Sequence, residues 1–132
     1  AITRIIDGST IQIMTYPFPS VIAEKFEAMI ARGELNSRMK DIFDVAFLLS
    51  NYEMKDGELR TAMLATFRNR RTILPEQPIV FTKSYLESER NLQLWEGFLR
   101  RTNLDPIELE KALDTIKSRL EPIYHAVRKA MI

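Results

Sequence analysis

Along ITRIIDGSTIQIM, residues 2–14, apolar and polar positions alternate on each side of Asp7-Gly8. Two short β-branched runs meeting at Asp-Gly predict a β-hairpin over residues 1–15. A two-stranded ribbon is marginal alone in water, so it is expected to pack on helices or to belong to a larger sheet. Pro17 and Pro19 then hold TYPFPS extended and turn the chain. From Ser20 onward the apolar spacing changes to three and four, the period of helices. Ser20 is placed to cap a helix reaching Arg32 with Gly33 as its stop, and Ser37 to cap a second over residues 38–50. Asp56 begins a third that reaches Arg71 and is closed by Leu74-Pro75 and Gln77-Pro78. A fourth covers residues 82–101, with Ser88 able to divide it in two. Asp105-Pro106-Ile107-Glu108 combines an N-cap, a Pro at the first helical position and an acid at the third, predicting a helix kinked at Pro122 and ending near Ala130. The expected fold is therefore mostly α (α+β): a bundle of about five helices over residues 16–132, one compact unit with short connections, and a short N-terminal hairpin.

Charge disturbs this pattern in one place. On the first helix Val21, Ile22, Phe26, Met29 and Ile30 form a broad apolar arc, and Glu24 and Glu27 lie outside it. Lys25 falls inside the arc, one turn from Val21 and one from Met29. A lysine there either snorkels outward along its own stem or meets an anion. On the second helix apolar residues fill most of the circumference, and Ser37, Lys40, Asp41 and Asp44 share the narrow remaining sector. Asp41 and Asp44 are three apart and face one way; Lys40 and Asp44 are four apart and can pair within the helix. A connection of about five residues makes the two helices neighbours. Lys25 Nζ is thus expected within about 6 Å of Asp41 or Asp44, the range over which opposite charges shift each other's pKa. Two accounts fit: a salt bridge that only packs the helices, or an anion-binding lysine whose carboxylate positions it or acts as a base.

Composition narrows the classes. At 132 residues, 45% hydrophobic and 28% charged, the chain has the make-up of one globular domain. A net charge of +1 means any affinity for phosphate must come from a local patch. Without cysteine there is no disulfide, no thiolate catalysis and no Cys-ligated zinc, and one histidine excludes a histidine-rich metal site. That usage fits a reducing cytoplasm, the expected location. The longest apolar run, VAFLL at 45–49, is far too short to span a membrane. The chain opens on Ala-Ile-Thr without an initiator Met, so it is expected to be part of something longer.

The run YPFPSVIAEKFEAMIARGELNSRMKDIFDVAFLL, residues 16–49, resembles the nucleotidyltransferase-like toxins of the AbiEii family, and ATFRNRRT to LWEGFLRR does so more loosely. The likeness rests on Tyr-Pro, then Val-Ile-Ala-Glu-Lys, then Asn-Ser-Arg-Met-Lys-Asp leading into Asp and apolar residues. It implies a DNA-polymerase-β-like transferase serving as the toxin of prokaryotic toxin–antitoxin and phage-defence systems. In that family a Gly-Ser motif and an Asp-x-Asp pair hold nucleotide phosphates and Mg2+, and later motifs supply a lysine and an aspartate. Lys25 matches the lysine, and Asp41 or Asp44 the aspartate, the choice between them left open. Lys25, with Lys40 beside it, is then the expected contact for the nucleoside triphosphate, and Asp41 and Asp44 are the expected catalytic carboxylates. Partners would be a nucleotide, an RNA or tRNA acceptor, and an antitoxin encoded nearby.

The departure is the absence of any Asp-x-Asp from the chain, while Gly8-Ser9 falls in the hairpin turn with no carboxylate pair after it. Two-metal transfer needs those carboxylates. The expectation is thus the C-terminal half of such a toxin: the last strands of its catalytic sheet, which the hairpin would complete, and its helical portion, inactive alone. The rival is a non-catalytic helical module that binds a partner or RNA through FRNRR, residues 67–71, although cations at a helix C-terminus also simply complement the macrodipole. Trp95, spaced with Leu92, Phe98 and Leu99, is expected in the core, and His125 as a surface or half-buried structural residue.

Overall fold

In the computed structural model the described residues are 17–32, 38–103 and 105–131; the expected hairpin and the Ser37 cap lie outside them. Six α-helices follow one another: α1 (Phe18–Arg32), α2 (Met39–Asn51), α3 (Asp56–Arg70), α4 (Lys83–Glu87), α5 (Glu89–Arg101) and α6 (Leu109–Met131), with a 3-10 turn (Ile79–Phe81) before α4. No strand occurs among the described residues.

α1 starts two residues before Ser20, so Ser20 is not its cap. The Pro17 carbonyl accepts the first helical bond, from Val21 N at 3.0 Å. Pro19 sits in the first turn, where the missing N–H has no partner to lose, so the two prolines begin the helix instead of holding the chain extended. At α3 Lys55 takes the cap position; its N–H is satisfied by Glu58 Oε1 at 3.1 Å, and Asp56 stands one residue inside. The helix closes where Arg71 turns left-handed at φ 50° and Thr72 N reaches back to Phe67 O at 3.2 Å. The fourth expected helix is indeed two. Ser88 ends α4 and its Oγ accepts from Asn91 N at 3.2 Å to start α5, as Thr82 Oγ1 accepts from Tyr85 N to start α4.

α6 begins at Leu109, not at Asp105-Pro106. The cause is Trp95, twelve residues before Ile107. Trp95 Nε1 donates to Ile107 O at 2.8 Å, and residues 105–108 run as an irregular strap against α5 before Glu108 O accepts from Ala112 N. α6 then continues as one helix through Pro122, whose ring lies on the exposed side.

α1 packs most extensively on α3 and α2 on α6, while α1 also meets α2 and α3 meets α6. The centre is aromatic. Phe26 of α1 lies 5.6 Å from Phe81, 5.8 Å from Tyr124 and 6.4 Å from Phe67, ring centre to ring centre, and none of these four rings is more than 4% exposed. A second cluster joins Phe43 of α2 to Trp95 and Phe98 of α5 at 6.4 and 5.7 Å. Trp95 is core, as expected, and His125 is exposed.

Tyr124 carries the one polar atom of the central cluster, a hydroxyl that donates to Pro75 O. Burial pushes its pKa up to about 12 from 10.0, partly offset by the Arg128 cation. Because the unfolded chain loses this proton first, the stability tied to Tyr124 is fully present below pH 10 and is lost as pH rises toward 12. Tyr124→Phe is expected to lower stability by about 1 kcal/mol at pH 7 through the lost hydrogen bond, and to flatten the alkaline decline. Urea titrations from pH 8 to 12 check it; parallel declines in both proteins contradict it.

Candidate functional site

Lys25 sits midway along α1, Asp41 in the first turn of α2 and Asp44 one turn later, so packing α1 on α2 brings all three together. Lys25 Nζ is 3.1 Å from Asp41 Oδ1 and 3.1 Å from Asp44 Oδ2. The expected approach to within about 6 Å of one aspartate is met at both, because the lysine bridges them. On the other side Asp41 Oδ2 accepts from Arg38 Nε at 3.1 Å, and Asp44 Oδ2 from Lys40 Nζ at 2.7 Å. Three cations thus surround two carboxylates, one positive charge in excess.

Burial divides the cluster. The Asp41 side chain is 4% exposed, those of Lys25 and Asp44 are each 25% exposed, and Lys40 stands in solvent. A carboxylate as deep as Asp41 is tolerated because both its oxygens are bonded to cations and it lies in the first turn of a helix, where the dipole favours negative charge. Burial by itself works against the Lys25 ammonium. Its hydrogen bonds to Asp44 and Asp41, and their charges, outweigh that, and the pKa lies above its ordinary 10.5. Lys25 is therefore charged at neutral pH: a cation for an anionic group, with no lone pair to act as a base. Of the two aspartates only Asp44 keeps an edge open to an incoming molecule.

A second charged cluster escaped the helical wheel. Glu27, placed outside the apolar arc by its spacing, is buried at 5% exposure. Its Oε1 accepts from Arg70 Nη1 at 3.2 Å and its Oε2 from Thr72 Oγ1 at 2.7 Å, while Arg70 Nη2 donates to Glu24 Oε1 at 3.1 Å. Arg70, though half-exposed, is thus committed to α1, and of FRNRR Arg68 and Arg71 are the exposed cations without a salt bridge among the described residues. No local signal marks Glu27, since its partners lie 43 and 45 residues away. No group of three His, Cys, Asp or Glu that could hold a metal ion occurs among the described residues, and none of their helices is long and apolar enough to cross a membrane.

Comparison with curated proteins and with solved structures returns no match. The family model described as nucleotidyl transferase AbiEii toxin, type IV TA system, matches residues 1–119, a stretch that contains Lys25, Arg38, Lys40, Asp41 and Asp44. With that share of its 132 residues covered, the chain belongs to the AbiEii nucleotidyl transferase toxin family of type IV toxin–antitoxin systems.

Proposed function

We propose that residues 1–132 supply the lysine–aspartate half of a nucleotidyl-transfer site, working in the prokaryotic cytoplasm as the helical C-terminal part of a toxin paired with an antitoxin or used in phage defence. The observation that carries this reading is Lys25 Nζ lying 3.1 Å from both Asp41 and Asp44 within the family-matched segment. Lys25, kept charged by the aspartates, gives the nucleoside triphosphate a fixed cation, and Lys40 adds an exposed one beside it. Asp44, with its open edge, orients or deprotonates the acceptor hydroxyl, on an RNA or another acceptor. The acceptor oxygen then bonds to the α-phosphorus, the bond from that phosphorus to the bridging oxygen breaks, and diphosphate leaves. Asp41, held by Arg38 and Lys25, acts through Lys25 by positioning it.

Family membership also implies a divalent magnesium ion with the nucleotide. The described residues do not fit it. Magnesium demands near-octahedral oxygen ligands at about 2.0–2.1 Å, whereas the open carboxylate, Asp44, already shares one oxygen between two ammonium groups. The chain has no Asp-x-Asp pair. In this reading the metal-holding carboxylates belong to chain outside residues 1–132.

Residues 1–132 alone, given labelled nucleoside triphosphates, magnesium and a tRNA pool, are then expected to yield no labelled product. They should bind the nucleotide at about millimolar strength, near −4 kcal/mol. Adding the part of the toxin that carries Asp-x-Asp restores transfer, and Asp44→Asn in that mixture removes it. Labelling by residues 1–132 alone, abolished by Asp44→Asn, would contradict the missing-half reading.

A further inference from the structure

On the flank formed by α4, α5 and the 105–108 strap lies an open groove of about 1050 Å³. Its floor is apolar: Leu86 of α4, Leu92, Trp95 and Leu99 of α5, and Ile107 of the strap. Leu92, Trp95, Glu96 and Leu99 recur at the i, i+3, i+4, i+7 spacing, so one face of α5 is turned to the groove. That face is not fully covered, since Leu92 is 40% exposed. Among the described residues four carboxylates rim it, Glu87, Glu96, Glu108 and Glu110, against the single cation Lys83.

What marks the rim is four carboxylates gathered around one apolar floor. The charged clusters on α1, α2 and α3, by contrast, hold Asp41, Asp44, Glu24 and Glu27 in ion pairs. None of the four groove carboxylates has a salt-bridge partner among the described residues. Four like charges around an apolar floor repel one another, and they lose that repulsion when a cationic occupant arrives.

We infer that this groove docks a basic amphipathic helix of a partner protein, its apolar side on the leucine floor and its Lys or Arg residues against the glutamate rim. The seven rises from Leu92 to Leu99 span about 10 Å, which matches two turns of an incoming helix with anchors at i, i+3 or i+4, and i+7. The same carboxylates exclude RNA, whose phosphates they repel, so the surface serves a different class of partner from the transfer site on α1 and α2. The proposal stands independently of the transfer reading.

The test uses the whole 132-residue chain and three fluorescein-labelled probes: a 14-residue amphipathic Leu/Lys helix, its Leu/Glu counterpart, and a single-stranded RNA oligonucleotide. The Leu/Lys peptide is expected to bind, to weaken as salt is raised, and to lose about tenfold or more in affinity to Glu96→Lys combined with Glu108→Lys. A second variant, Leu92→Asn, removes an exposed floor residue and is expected to weaken it as well; far-ultraviolet circular dichroism checks that both variants are folded. Any of four results overturns the proposal: no binding of the Leu/Lys peptide, equal affinity for the native chain and both variants, competition by the Leu/Glu peptide or the RNA, or self-association of the chain that the same variants abolish, which would make the occupant a second copy.

Discussion

Lys25→Met is expected to destabilise the domain by about 3 kcal/mol, the low end of what removing one member of a buried ion pair costs. Among the described residues Asp41, with a side chain only 4% exposed, then keeps Arg38 as its sole cation, and Asp44 keeps only Lys40. Those exposed partners set the cost at the low end, because they compensate the stranded carboxylates in part. A lysine that merely snorkelled would behave in the opposite way, and methionine in its place would be neutral or stabilising. Combining Lys25→Met with Asp41→Asn is expected to cost less than the two single changes together, the sign of direct coupling. The effect has a pH signature as well. Because the folded-state pKa of Lys25 is raised, its contribution is complete below its ordinary 10.5 and fades as pH rises through the higher folded value. The gap between native and Met proteins in urea midpoint should therefore hold at pH 7 and narrow above pH 10.5; a gap of zero at pH 7 would mean that the bridge stabilises nothing.

Phe26→Ala is expected to cost about 3–5 kcal/mol, the usual loss for an aromatic removed from a sealed core. Phe26 is fully buried and touches Phe67 of α3, Phe81 of the 3-10 turn and Tyr124 of α6. Its removal leaves a cavity where α3, the 3-10 turn and α6 converge on α1. Phe47, stacked on Phe43 at 6.2 Å but 47% exposed, makes the control: Phe47→Ala should cost less than about 1 kcal/mol. Urea unfolding of both variants decides this, and similar losses would mean that the aromatic centre is not the core of the domain. The consequence reaches the site, since α1 carries Phe26 and Lys25 on adjacent positions.

Much of this was readable before any coordinates. The 3.6-residue spacing located the helices, and Ser88 announced the break between α4 and α5 because a cap acts on its own next turn. Lys25 stood out because an apolar arc made its charge anomalous, and Asp41 and Asp44 because their three-residue spacing puts both on one face. Local patterns failed where the deciding contact is distant. Asp105-Pro106 has every mark of a helix start, yet Trp95 claims the Ile107 carbonyl and delays α6 to Leu109. Glu27 looks solvent-facing on a wheel, yet Arg70 and Thr72 enclose it. Ser20 lost its cap position to a proline carbonyl one turn earlier. Spacing also could not show that Asp41 is nearly buried and Asp44 a quarter exposed, since that difference comes from how α2 packs.

The central claim is that Lys25 serves the nucleotide and not only the packing of two helices. The most direct measurement is the transfer rate of Lys25→Arg in the toxin with its Asp-x-Asp part present, read beside its stability. Arginine keeps the charge and can bridge Asp41 and Asp44, so stability is expected to stay within about 1 kcal/mol of the native protein. A guanidinium cannot reproduce the position of the ammonium against a phosphate, and misplacing such a group by about 1 Å costs on the order of 100-fold in rate. A folded Arg variant whose transfer has fallen about 100-fold is the predicted result; one that transfers at the native rate would make the cluster a salt bridge and nothing more.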